Sequence, residues 1–542
     1  MSEDRHERRE STGREGPPGP GQRRGGRSAP GRDAAGRQRG PARAEGRPVE
    51  RSATRPAARP RTGDAARRVA FDVLREVAES DAYANLVLPP LLRSRGIAGR
   101  DAGFATELTY GTLRWQGRYD AVIALAASRT TDRIDPPVLD VLRLGVHQLL
   151  AMRVPAHAAV SESVALARST TGTGASQFVN AVLRKVSSTS TEEWIDRIAE
   201  AAGEDATERA AVVHSHPVWV VRALRQALLA DGRPAEELDA LLEADNASPA
   251  VSLVARPGLA DSRTLLSTLT DALPGRWART AVILDGGDPA SVPGVREGSV
   301  GVQDEGSQLV ALALAAVELE SAPGGAPERW LDLCAGPGGK AALLGALAAQ
   351  QGATVVANEL QPHRVRLVER TVAALPDGVV EVRCADGREV GLTDPDVYDR
   401  VLVDAPCTGL GALRRRPESR WRRTAADVGP LTQLQRELLG AALDAVRPGG
   451  IVAYATCSPH VAETQLVVRD VLKRRADVEL LDARDALRLV GGEDLPLGPG
   501  PHAQLWPHVH GTDAMHLTML RKTPGPVPPT RAPGGTDPRT EG

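Results

Sequence analysis

No apolar run in this chain approaches the roughly 18 residues that a membrane span needs. No hydrophobic stretch follows the polar N-terminus Met1-Ser2-Glu3-Asp4-Arg5-His6, so neither a membrane protein nor a secreted one is expected and the cytoplasm is the expected compartment. Cysteine is scarce: Cys334, Cys384, Cys407 and Cys457 are the whole set. No pair has the Cys-x-x-Cys spacing of a zinc site, and a cytoplasmic setting disfavours disulfides, so no metal and no cross-link is expected. Net charge is small as well, at −2, but it is unevenly spread. Residues 1–60 hold 15 Arg against 8 acidic residues, net +7, which leaves −9 for the rest. Overall charge therefore names no nucleic-acid partner, and local patches must carry any such claim.

With 542 residues, 41% apolar and 25% charged, the chain should be soluble and divided among several domains. Residues 1–62 are Arg, Gly, Pro and Ala with almost no large apolar side chain. Such a segment cannot offset its ordering entropy and is expected to be disordered, a solvated tail first and an RNA-attracting arm second. From 63 to 246 the period is helical: Ala70, Val73, Leu74 and Val77 follow one face, and so do Leu142, Val146, Leu149 and Leu150. An all-α bundle is predicted there, with further helices near 101–114, 157–168 and 175–186. Breaks are expected at Pro89-Pro90, Pro136-Pro137 and Pro155. Residues 247–308 read as a small α+β module, with strands at 251–255 and 280–284 around a helix at 263–273. From 309 to 522 strand and helix alternate, the mark of a doubly wound parallel sheet. The tail 523–542 is rich in Pro and Gly and is expected to be disordered.

In such a sheet ligands sit beyond the carboxyl ends of the strands. The first predicted strand runs into Cys334-Ala-Gly-Pro-Gly-Gly-Lys340, where side-chain-free backbone lets a cofactor approach a helix N-terminus. A P-loop is excluded because Ala341 stands where Ser or Thr would hold magnesium. A dinucleotide site is not excluded by spacing, since Glu359 lies about 20 residues beyond the glycines in either case. The later strand ends carry Asp386, then Asp404-Ala-Pro-Cys407, then Thr456-Cys457-Ser458. Two rim thiols have no part in hydride transfer. They suit methylation at carbon 5 of a pyrimidine, where a thiolate must first add to carbon 6 to make the ring nucleophilic. All four cysteines are predicted on this one rim. Cys334 and Cys384 read as small residues packed at strand ends.

The segments Arg143–Leu150 and Phe178–Lys185 resemble the NusB-like RNA-binding domain. The motifs at 332–340, 404–411 and 455–458 resemble the RsmB/Sun (Fmu) family of RNA 5-methylcytosine methyltransferases, and a NusB-like domain in front singles out that branch. The resemblance implies a class I, Rossmann-like, S-adenosylmethionine-dependent catalytic domain acting on RNA rather than DNA, as a monomer. It makes Cys457 the nucleophile and Cys407 the group that assists adduct breakdown. The cofactor would be held by Cys334, Ala335, Gly336, Pro337, Gly338, Gly339, Lys340, Glu359, Arg364, Asp386 and Asp404, with Asp404 also reaching the cytosine. The implied substrate is cytosine 967 of 16S RNA. Transfer RNA or another ribosomal site, and an RNA-binding assembly factor with an inert core, stand as alternatives.

Four further expectations concern polar residues and the target base. Arg414–Arg423, with six Arg and Trp421, is read as a phosphate clamp beside the catalytic loop. His147 and Asn180 read first as packing or solvent residues and second as RNA contacts. His460 and Glu463 are expected to open the helix after Cys457, with Glu463 as an acid favoured by the helix dipole. The target base should lie in a loop or be flipped out, because cytosine carbon 5 is attacked from above or below the ring.

Overall fold

The protein is described as a computed structural model covering residues 64–80, 82–319 and 325–524. The expectations for the tails 1–62 and 525–542 lie outside the described residues. Helices fill the chain from Ala65 to Asn246. Asp64 opens the first by accepting from Ala66 N at 2.9 Å, and the predicted stripe Ala70, Val73, Leu74 and Val77 is buried. Pro136 and Pro155 mark helix starts, as expected of a residue with no N–H to satisfy.

Pro89-Pro90 is different. Helix Ala84–Ser94 runs straight through both prolines, contrary to the predicted break. The carbonyls they leave unpaired belong to Asn85 and Leu86, both exposed, so water can take the place of the missing donors.

One apolar core joins the helices from Ala66 to Ile198. The three later helices, Ala206–Val213, Val218–Ala230 and Leu238–Asn246, bury their apolar faces elsewhere. Val220, Val221, Leu224, Leu228, Leu241 and Leu242 share a core with Leu410, Leu413 and Trp506 of the catalytic region. The helical stretch predicted as one bundle thus serves two cores.

The small module is a four-stranded antiparallel sheet of β1 (Val251–Ala255), β2 (Ala272–Pro274), β3 (Ala281–Leu284) and β4 (Val300–Val302), in the order β2-β3-β1-β4. Its helix, Ser262–Thr268, is shorter than predicted. The residues expected to extend it instead pair as β2 with β3, Ala272 opposite Leu284. Helix Glu305–Ala316 crosses the expected boundary at 308. Gln308 donates to Leu253 O at 3.1 Å within the module, whereas Leu309 to Ala315 pack in the catalytic core with Trp330 and Leu343. One helix therefore belongs to both bodies.

The large sheet contains β5 (Arg329–Asp332), β6 (Thr354–Asn358), β7 (Val380–Arg383), β8 (Tyr398–Asp404), β9 (Val446–Thr456), β10 (Val478–Leu481), β11 (Ala503–Gln504) and β12 (His516–Lys522). Its order is β10-β12-β9-β8-β5-β6-β7, with β11 paired to β12. Strands β5 to β9 are mutually parallel; β10, β11 and β12 are antiparallel additions at one side. Chain direction along the sheet reverses between β5 and β8, and the crevice beyond their carboxyl ends is where such folds hold ligands.

Candidate active site

At the end of β5 the backbone folds into a tight bend. Ala335 N donates to Asn358 O at 2.8 Å and Gly338 N to Ala335 O at 2.7 Å, and helix Gly339–Gln351 follows. The peptide Gly336–Pro337 is cis. Two glycines are required here for different reasons. Gly338 has φ +110, and a Cβ on Gly336 would lie 2.2 Å from Glu359 Oε2. A Cβ on Gly339 would meet nothing nearer than the Gln303 amide at 3.8 Å, so the space beside it is open to a ligand. Asn358 stitches the neighbouring strand ends by donating to Leu333 O and Ala385 O, both at 3.1 Å.

Glu359 is buried against this bend. It accepts from Gly336 N at 3.1 Å and Gln361 N at 3.0 Å, and it pairs with Arg364 at 3.3 Å. Arg364 in turn donates to Gly336 O. Glu359 and Arg364 thus brace the glycine bend, and the carboxylate keeps lone pairs for a ligand hydroxyl. Asp386 stands apart. Its carboxylate accepts from the N–H and guanidinium of Arg388, which hold its pKa below the ordinary value. Any ligand contact there competes with Arg388.

Across the switch point, Lys340 and Asp404 form an ion pair at 2.9 Å. Beyond them Cys407 and Cys457, fifty positions apart in sequence, bring their Sγ atoms to 3.5 Å. Both are half-buried. The pair is electrically asymmetric. The contact between the two thiols pushes Cys407 well up and holds Cys457 below the ordinary 9.0; Lys340 and Arg416 add to the lowering, while burial and Asp404 oppose it. Cys457 is the readier thiolate, the property a nucleophile needs. Cys334 lies under the bend with its thiol pushed up by burial and then by Asp332, so it is no nucleophile. Cys384 is exposed rather than packed, a correction: its strand ends at the open edge of the sheet.

Asp332 lies in the 332–340 motif at the end of β5. It is buried, and burial followed by Asp404 raises its pKa to about 7. A second acid beside Asp404 with a raised pKa can hold a proton at neutral pH. Only its place in the Asp332–Lys340 motif hinted at this.

The arginine run fares differently from the prediction. Arg414 and Arg415 bind Asp304 and Asp513. Arg420 is fully buried, donating to Asn246 Oδ1 at 2.8 Å and Ser215 O at 3.0 Å, and Arg422 donates to Val77 O at 3.0 Å. Glu418 accepts from Ala84 N at 3.0 Å, and Trp421 packs on Gly117. Arg420, Arg422, Glu418 and Trp421 are struts from the catalytic loop to the helical region, and Arg414 and Arg415 tie the loop to Asp304 and Asp513, instead of clamping phosphate. Arg416 and Arg423 differ: Arg416 is exposed, with its guanidinium 5.2 Å from the Tyr83 ring, and Arg423 is half-buried. His147 is buried with Nδ1 2.8 Å from Tyr119 Oη, which removes it from RNA contact. Half-buried Asn180 accepts from Arg184 Nε at 3.2 Å.

Glu463 is a further correction. It is fully buried in the short turn Val461–Glu463 and points into the protein, where it accepts from Thr408 and Ser458, instead of standing at a solvated helix end. His460 accepts from Ala462 N at 3.1 Å and caps that turn.

With this geometry in place, the comparisons fall into line. Residues 322–521 match the family model "16S rRNA methyltransferase RsmB/F", and residues 64–188 match that of the NusB family. Rv1407 of Mycobacterium tuberculosis, whose name carries methyltransferase without a substrate, is 52% identical over 454 residues, 84% of this chain and 95% of that one. Ribosomal RNA small subunit methyltransferase B of Pseudomonas putida is 33% identical over 441 residues, 79% of this chain and 94% of that one. The crystal structure of PH0851 shares the fold, with a TM-score of 0.67 at 21% identity over 84% of this chain and 97% of its own. Two rim thiols, a braced glycine bend and a helical domain in front all accord with these matches: the chain belongs to the RsmB/F family of 16S rRNA methyltransferases and carries a NusB-family domain ahead of its catalytic sheet.

Proposed function

We propose that the protein methylates carbon 5 of a cytosine in small-subunit ribosomal RNA, with cytosine 967 of 16S RNA as the target, through a covalent adduct on Cys457. The carrying observation is the 3.5 Å approach of Cys407 to Cys457, with Cys457 the more acidic thiol. Cys334 to Lys340, Glu359, Arg364, Asp386 and Asp404 would hold S-adenosylmethionine, which would supply the methyl group. The fit rests on the open space beside Gly339 and on the acceptor capacity left on Glu359.

The protein's own groups perform the rest. The Cys457 thiolate adds to carbon 6; the new C–S bond pushes the ring electrons toward carbon 5, which becomes nucleophilic. Asp404, charge-balanced by Lys340, holds the cytosine edge as the ring changes. Once carbon 5 is methylated its proton passes to a water molecule in the half-buried pocket, the ring double bond re-forms and the C–S bond breaks, returning Cys457 as thiolate. Cys407, whose raised pKa keeps it a protonated thiol next to that bond, assists this breakdown.

Full-length Cys407→Ala, given RNA and S-adenosylmethionine, should accumulate a denaturant-resistant RNA adduct, and Cys457→Ala should form none. An adduct on Cys457→Ala instead would reverse the two roles. Bisulfite sequencing of RNA from a deletion strain should show loss at one small-subunit position; loss only from transfer RNA would replace the substrate, and no loss at all would favour an inert core.

A further inference from the structure

We infer that Glu463 is the positioning residue that sets the distance between the two thiols. Nothing in the chemistry proposed above uses this buried carboxylate, yet it touches the residue that follows each cysteine. Oε1 accepts from Thr408 N at 2.8 Å and from Gln435 Nε2 at 3.3 Å. Oε2 accepts from Thr408 Oγ1 and from Ser458 Oγ, the latter at 2.7 Å. The two hydroxyls are themselves 3.2 Å apart. Cys407 is held from its other side too, because Gln435 Nε2 donates to Pro406 O at 2.8 Å. The backbone of the stapled turn is fixed by Tyr454, whose hydroxyl donates to Glu463 O at 2.7 Å.

Thr408 and Ser458 lie fifty residues apart and on the ends of different strands, β8 and β9. A single side chain joins them, and Cys407 and Cys457 sit one residue before each. Two of its four partners, the Thr408 N–H and the Gln435 amide N–H, can only donate, so a charged carboxylate fits where an apolar group would leave them unpaired. The inference rests on the methylation reading for its catalytic consequence, but the spacing itself can be measured without RNA.

Phenylarsine oxide is the probe: arsenic bonds two neighbouring sulfurs, and its oxygen leaves as water with the two thiol protons. Full-length protein should bind it tightly, and Cys407→Ala should not. Folded Glu463→Leu should bind it at least about tenfold more weakly and keep its affinity for S-adenosylmethionine. Its kcat should fall by about a hundredfold with little change in KM for RNA, the scale on which small misplacements of reacting groups act. Glu463→Gln should restore both readouts to within about tenfold, because its carbonyl can accept from the two donor-only groups while its NH₂ donates to the two hydroxyls.

If Glu463→Leu does not fold, the pair Thr408→Val and Ser458→Ala should show the same arsenical loss in milder form. Wild-type arsenical affinity or wild-type kcat in folded Glu463→Leu would overturn the inference. Loss of arsenical binding in a protein that methylates no cytosine would leave the staple standing and sink the methylation reading.

Discussion

Cys457 and Cys407 are the same residue type in the same half-buried pocket, and yet their protons are held differently. The largest cause is their mutual hydrogen bond, which makes Cys407 harder to ionise and Cys457 easier. A pH prediction follows at this scale. Adduct formation requires the thiolate, so its rate should rise with pH through the Cys457 pKa, with the limb centred below the ordinary 9.0. In Cys407→Ala that limb should move to higher pH, since the largest lowering contribution is gone; rapid-quench adduct formation against pH reads it directly. Lys340→Gln should move the limb the same way and also release Asp404. Its rate should fall by about a hundredfold, the size of effect seen when one preorganised charge contact is removed. Both cysteines were recognisable from their motif context. Glu463 was not, because a Glu six residues beyond a strand-end cysteine looks the same whether it faces water or folds inward.

Between the residue and the whole lies the set of loops that close the rim. Gly411 belongs to the loop that begins at Asp404, and it is pinned at two points: its N–H donates to Cys457 O and its carbonyl accepts from Ala514 N. A Cβ there would come within 2.2 Å of Ala514 O, which is backbone and cannot swing aside. Gly411→Ala should therefore displace the Cys407 loop from β9 and β12, costing about 1–3 kcal/mol of stability by overpacking and lowering adduct formation more than cofactor binding. Isothermal titration beside a single-turnover assay separates the two. Gly336→Ala should do the opposite, because its added carbon strikes Glu359 and Arg364 at the cofactor bend: weaker S-adenosylmethionine binding with the thiols unmoved. Strands β1, β3, β5 to β9 and β12 were legible from the sequence to within a few residues, as were the helices at 99–114 and 156–170, whereas the short β2, β4, β10 and β11 were not. Helix Ala84–Ser94 was not, because proline's penalty depends on whether the carbonyls it frees can reach water.

At the scale of the whole molecule, the arginine run ties the chemistry to the domain in front. Arg420 and Arg422 leave the loop that follows Cys407 and end on carbonyls of the helical region at Ser215, Asp245 and Val77. Burial lowers the Arg420 pKa to about 10, and its hydrogen bonds are what make the buried charge tolerable. Arg420→Ala strands Asn246 Oδ1 and two carbonyls in a dry interface, and should cost about 3 kcal/mol, seen as an earlier urea transition. Leu410, Leu413 and Trp506 sharing a core with helix Val218–Ala230 makes the same link in apolar terms. Among the described residues no helix is long and apolar enough to cross a membrane.

The sequence alone determined the alternation of strand and helix, the glycine bend and the arrival of a cysteine or an acid at each carboxyl rim. These are local properties, because a side chain's place on a strand end depends only on its neighbours in the chain. The tertiary structure alone decided which groups meet: the contact of Cys407 with Cys457, the Glu463 carboxylate joining Thr408 to Ser458 and the burial of Arg420. A charged side chain goes inside only if partners remote in sequence satisfy it, and no periodicity within the chain reveals whether they will be there.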